Sequence, residues 1–154
     1  FAPRAVATAF TAIFLAGAYA GGLLGGTAAG SLGWQPFSSS QLVKGQALNR
    51  PTLVEFTAEW CINCKILERT VYVAPAVAKA ARKVDLVTLR ADLTKPDPAL
   101  ERLLARYGGA GLPFAVVING SGVVVKRFSG LFTIGALADA IDQSKFLDVS
   151  PGKT

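Results

Sequence analysis

The chain has 154 residues, enough for one compact domain with an appendage and too few for two ordinary domains. Hydrophobic residues make up 51%, concentrated toward the N-terminus, and 16 Lys+Arg against 10 Asp+Glu leave a net charge of +6 scattered along the chain. A nucleic-acid partner needs a clustered basic stripe and a structural zinc site needs four Cys/His ligands; a chain with two Cys, no His and no such stripe fits neither.

The chain opens on Phe1 and contains no Met, so it is expected to be a processed product or part of something longer. Between Arg4 and Lys44 there is no charged side chain, and Val6 to Leu24 is almost wholly apolar. That stretch is long enough to cross a hydrocarbon core as a helix. Gly17, Gly21 and Gly25 recur every four residues, as do Gly22, Gly26 and Gly30. Such rows let another helix approach closely in a membrane, whereas in water each glycine costs a helix about 1 kcal/mol. The preferred reading of residues 1–33 is a transmembrane helix with its exit segment, Arg4 weakly favouring a cytoplasmic N-terminal end. A secretory signal and an Ala/Gly-rich segment of a soluble protein are the competing readings.

A second unit, residues 34–154, follows. Trp34 and Phe37 are open to two readings, anchors at a membrane interface or contacts with this domain. One of Ser38, Ser39 or Ser40 caps a short helix running to about Leu48, stopped by Asn49-Arg50-Pro51. Thr52–Thr57 reads as a buried strand, and a helix begins at Cys61 with Cys64, Leu67, Glu68 and Val71 along it. After a break near Ala74-Pro75 a second helical stretch runs from Ala76 to Lys83, with Pro75 as a start residue. Leu86–Ala91 is the next strand. Asp97–Tyr107 places Leu100, Leu103, Leu104 and Tyr107 on one helix face, ended by Gly108-Gly109. Phe114–Ile118 and Val123–Phe128, joined by Asn119-Gly120-Ser121-Gly122, form a hairpin. A last helix covers about Ile134 to Phe146 and buries Leu137, Ile141 and Phe146. This order predicts an α/β domain, a central mixed sheet flanked by helices.

The chemistry sits in Cys61-Ile62-Asn63-Cys64. At a helix start, two cysteines three positions apart lie one turn from each other, and their sulfurs can close a 14-membered ring. Cys61 faces the unpaired N–H groups of the first turn, which favour thiolate over thiol and depress its pKa below the ~8.5 of a free thiol. Cys64, a turn inside, stays protonated until it resolves a mixed disulfide. A purely structural bridge is the bland alternative, but closing so short a loop removes little entropy from the unfolded chain. A copper or intermolecular zinc half-site is a further alternative.

The stretch Val54-Glu-Phe-Thr-Ala-Glu-Trp-Cys-Ile-Asn-Cys-Lys65 resembles the active-site region of the thioredoxin superfamily. Its nearest likeness is the C-terminal thioredoxin-like domain of DsbD-type transmembrane thiol:disulfide interchange reductases, over about Pro51 to Ile141. Gly111-Leu112-Pro113 resembles the loop that holds a cis-proline beside the dithiol. Ile62-Asn63 departs from thioredoxin's Gly-Pro, and Lys65-Ile-Leu-Glu68 fits the DsbD-type domain better than cytosolic thioredoxin.

The resemblance implies a thioredoxin-like fold and assigns roles. Cys61 is the nucleophile and Cys64 the resolving cysteine. Leu112, before Pro113, offers its backbone to a partner strand. Glu55 matches a buried acid beneath the resolving cysteine, one methylene longer than the usual Asp. Glu68, four residues after Cys64, matches a second acid near the cysteines. A carboxylate in an apolar setting can accept the Cys64 proton; the plainer reading of Glu68 is a surface pair with Lys65 or Arg69. Trp60 either shields the disulfide at the docking surface or anchors the core.

The expected function is that of a protein-disulfide reductase outside the cytoplasm, anchored in a bacterial inner membrane with its thioredoxin-like domain in the periplasm. Its partners are then a membrane redox domain upstream and periplasmic thioredoxin-like or N-terminal DsbD-type domains. No cofactor beyond the dithiol, and no metal, is expected. The alternatives are a membrane-tethered reductase for cytochrome c maturation and a redox-inert binding or metal-delivery module.

Overall fold

The computed structural model describes residues 32–146. The expected membrane-spanning segment therefore lies, up to Ser31, outside the described residues. Among those described, no helix is long and apolar enough to cross a membrane.

The elements run β1 (Gln35–Pro36), α1 (Ser39–Ala47), β2 (Thr52–Thr57), α2 (Ile62–Thr70), α3 (Pro75–Val84), β3 (Val87–Asp92), α4 (Pro98–Arg106), β4 (Phe114–Ile118), β5 (Val124–Ser129) and α5 (Ile134–Phe146). One sheet takes the order β1-β3-β2-β4-β5. The β1–β3 and β2–β3 pairs are parallel, and β2–β4 and β4–β5 are antiparallel. Within the described residues, every helix and strand predicted from Ser38 onward is present to within a residue or two. The addition is β1, two residues whose backbone zips onto the edge of β3, with Phe37 N–H donating to Arg90 O at 2.8 Å.

Local chemistry explains the ends. The Ser38 hydroxyl accepts from the Gln41 amide at 3.3 Å and caps α1. The Asp97 carboxylate caps α4 through the amides of Ala99 and Leu100, at 2.8 and 3.1 Å. Pro75 opens α3, where its missing N–H costs nothing. Gly108 ends α4 at φ +84, a left-handed conformation that side chains resist.

The central strands bury both faces, as their continuous apolar runs require. Leu53, Ala115 and Val117 point into one layer with Leu67 and Val71, Val77 and Val84 of α3, and Leu137 and Ile141 of α5. Val54, Phe56, Val116 and Ile118 point the other way, into a layer shared with Leu104 of α4 and with Phe37, Leu42, Leu100, Leu103 and Tyr107. Leu32 and Trp34 pack into the first layer. Trp34 meets Tyr72 edge to face, ring centroids 5.1 Å apart, so Trp34 and Phe37 both make contacts within the domain. Leu137 and Ile141 are fully buried as expected, and the Phe146 side chain lies outside the described residues.

Candidate active site

The end of β2 leads through Ala58-Glu59-Trp60 into α2, and Cys61 is the residue that caps the helix rather than its first turn. Its Sγ accepts the Cys64 amide at 3.2 Å, so one of the otherwise orphaned helix-start donors points at the sulfur. Cys61 and Cys64 are joined as a disulfide, with Cα atoms 5.3 Å apart. The two cysteines are both buried but unequally so: Cys61 keeps 6% of its surface exposed and Cys64 none. Of the pair, only Cys61 keeps any contact with solvent.

Ala58, Cys61 and Cys64 form a small apolar cluster against which Leu112 packs, and the Leu112–Pro113 bond is cis. The structure thus brings the Leu112-Pro113 loop to the cysteine pair. Trp60 is 65% exposed, its indole N–H donating to Thr94 O at 3.3 Å, so it is a surface ring and no core anchor. A groove of about 310 Å³ runs beside it, lined by Trp60, Leu93, Thr94, Pro96, Glu101 and Leu112. Ile62, between the cysteines, is 77% exposed, and Ile66 one turn on is also exposed. The sequence singled out neither, yet a large aliphatic side chain at the helix start, where thioredoxin has glycine, was the signal for Ile62.

One acid lies on the strand beneath the helix and the other on the helix itself. Side chains alternate across a strand, so Leu53, Glu55 and Thr57 share one face of β2. The Thr57 hydroxyl donates to Glu68 Oε1 at 3.1 Å, which shows that this face is turned toward α2. Glu55 is buried, and its Oε2 accepts from Arg90 Nε at 2.9 Å. Its Oε1 has no hydrogen-bond partner among the described residues. Burial pushes the Glu55 carboxyl up to about 7 against the opposing pull of Arg90, with the Glu68 charge adding to the rise. Glu68 is part-buried and pairs with Lys65 at 3.2 Å as well as with Thr57. It makes the pair with Lys65 that the plainer reading expected, yet is turned inward against the strand that carries Glu55. Arg90 was not singled out from sequence; its place opposite Glu55 follows from the β2–β3 register, which pairs those two residues. Among the described residues, no group of three or more His, Cys, Asp or Glu is placed to hold a metal ion.

Residues 33–120 match the model of a family described as thioredoxin-like. The chain belongs to the thioredoxin-like family. Over 72 residues, 47% of the chain, it is 39% identical to thiol:disulfide interchange protein DsbD 1 of Pseudomonas aeruginosa. It is 35% identical to DsbD 2 of the same organism over 82 residues, 53% of the chain. These matches span only 12% and 14% of the two relatives, so the chain corresponds to a small part of each. The crystal structure of the oxidised C-terminal domain of Neisseria meningitidis DsbD superposes with a TM-score of 0.57, covering 72% of this chain and all of that domain at 22% identity. That likeness shows a shared fold. With the disulfide at the helix start, these matches support thiol–disulfide oxidoreductase chemistry.

Proposed function

We propose that the chain is a protein-disulfide reductase working outside the cytoplasm, taking electrons from a membrane redox domain and passing them to periplasmic disulfide proteins. The observation that carries it is the Cys61 sulfur, held on the Cys64 amide in a residue that keeps 6% of its surface exposed, with fully buried Cys64 a turn behind. In the reduced state that amide and the helix start favour the Cys61 thiolate. The thiolate attacks one sulfur of a partner disulfide, and the other partner sulfur leaves as a thiolate. Cys64 then gives its proton to a nearby acid and attacks Cys61 Sγ. The 61–64 bond forms, the mixed disulfide breaks, and the second partner sulfur departs with the electron pair. Glu55, buried on the face turned toward α2 and poised near neutral pH, is the proton acceptor in this reading. Glu68 supports it by raising the proton affinity of Glu55.

Trp60, Leu112 and Pro113 form the docking surface. The Leu112 backbone meets the partner's strand, while the exposed Trp60 ring and its groove take neighbouring side chains. Residues 1–33 form the membrane-spanning helix and its exit, placing residues 34–154 in the periplasm of a bacterial inner membrane. The apolar, charge-free stretch and the DsbD names of the relatives support this placement. No cofactor beyond the dithiol is needed, since both electrons travel in sulfur bonds.

The direction of transfer is tested by the reduction potential of the chain in a dithiothreitol or glutathione buffer. A value near about −270 mV, that of thioredoxin, supports a reductant, and one near about −120 mV marks an oxidase.

A further inference from the structure

Arg90 is held from two sides. Its Nε donates to Glu55 Oε2 at 2.9 Å, while its guanidinium carbon lies 4.9 Å from the centroid of the Trp34 ring. A planar guanidinium stacks on an indole face and still presents its edge donors, a geometry that lysine cannot reproduce. Trp34 is fixed in turn: its ring meets buried Tyr72 edge to face, and Tyr72 meets Phe132 at 6.0 Å. The backbone repeats the arrangement, since the residues following Trp34 pair with β3 in the register Gln35↔Leu89 and Pro36↔Arg90. The segment at the entrance of the domain thus reaches the buried acid through one arginine.

We propose that Trp34 is a positioning residue, seating the Arg90 guanidinium across Glu55 so that docking of segment 34–37 on the sheet edge governs the charge state of this acid. The mechanical consequence rests on the reading of Glu55 as the proton acceptor: whatever pulls at the entrance of the domain changes how readily Cys64 is deprotonated. The groups facing Glu55 are Arg90 from β3, Lys65 and Glu68 from α2, and the Tyr72 hydroxyl from the turn after α2. Of these, Arg90 is the strongest pull toward the carboxylate, and it is the one that Trp34 touches.

The test is a carbon-13 NMR titration of the Glu55 side-chain carboxyl, with the 61–64 disulfide intact so that no thiol titrates nearby. Trp34→Leu is expected to raise the midpoint from about 7 by about half a pH unit, a roughly threefold change in the charged-to-neutral ratio at fixed pH. Arg90→Gln is expected to raise it further, and the double variant to match Arg90→Gln alone. An unmoved midpoint in Trp34→Leu, or shifts that simply add in the double variant, overturns the proposal. Should the leucine variant not fold, Trp34→Tyr and Trp34→Phe supply a graded series; a climbing midpoint supports the assignment and a flat one ends it. Failure of the proton-acceptor reading looks different: Glu55→Gln would leave the pH profile of exchange unchanged while the carboxyl midpoint still followed Trp34.

Discussion

The two faces of β2 are built from the same short run and do opposite things. Val54 and Phe56 enter a layer of aliphatic and aromatic side chains in which every group gains from leaving water. Leu53, Glu55 and Thr57 enter the layer beneath α2, where a carboxyl is buried with one oxygen paired to Arg90 and the other unpaired among the described residues. One face supplies cohesion, and the other gives some of it up to hold a carboxyl whose proton affinity burial has raised. A strand that is buried at every residue is thus divided, residue by residue, between apolar packing and a buried titratable group.

The comparison breaks most visibly at the cysteines. Cys61→Ser is expected to drop exchange to the uncatalysed rate in an insulin-reduction assay, while Cys64→Ser traps partners as mixed disulfides on non-reducing gels. Neither change disturbs the apolar face. On that face Phe56→Ala should cost about 3–5 kcal/mol in urea unfolding, because Phe56 is fully buried between Tyr107 and Phe114. The folded fraction should still exchange disulfides at the parental rate.

Glu55 sharpens the contrast through pH. Its carboxyl sits at about 7 in the folded chain against an ordinary 4.5. The folded state therefore binds the proton more tightly than the unfolded state, and its benefit is complete below about pH 4.5. Stability from this group is lost as pH rises through about 7, with a limiting size of about 3 kcal/mol. Glu55→Gln removes that dependence: the variant should match the parent near pH 4.5 and be more stable at pH 8.5, as read from urea midpoints at the two pH values. Loss of the acid should also slow resolution by Cys64, so the same substitution stabilises the fold and impairs the reaction.

These positions differ in how far they can be read from the chain alone. The helices and central strands are legible because each buries a periodic or continuous apolar set between Gly, Pro and Ser punctuation. Cys61 and Cys64 are legible because their spacing carries the chemistry, whereas the cis bond at Pro113 is legible only through the resemblance of Gly111-Leu112-Pro113 to a known loop. β1 is not: Gln35 and Pro36 are exposed, show no hydrophobic period and join the sheet through backbone atoms that any residue has. Arg90 is hidden for a related reason, since its role depends on strand register, a long-range quantity that local pattern does not encode. The dual character of Glu68 likewise needs the third dimension, because sequence spacing finds Lys65 on its helix but not Thr57 on the strand below.

The smallest expected effect lies at the surface and separates docking from chemistry. Ile62 is the most exposed large apolar residue described, and it stands between the two cysteines beside exposed Trp60. An exposed isoleucine gains little from folding, so Ile62→Ser should change stability by no more than about 0.5 kcal/mol. A partner that covers the disulfide must cover this side chain too, and burying it on docking contributes to affinity in proportion to the apolar area removed from water. The substitution should therefore raise KM for a protein substrate several-fold while kcat and the rate with dithiothreitol, too small to reach Ile62, stay near parental values. Equal losses with both substrates would mean that Ile62 acts through the helix start and its sulfur. In that case the docking surface would narrow to Trp60 and the Leu112-Pro113 loop.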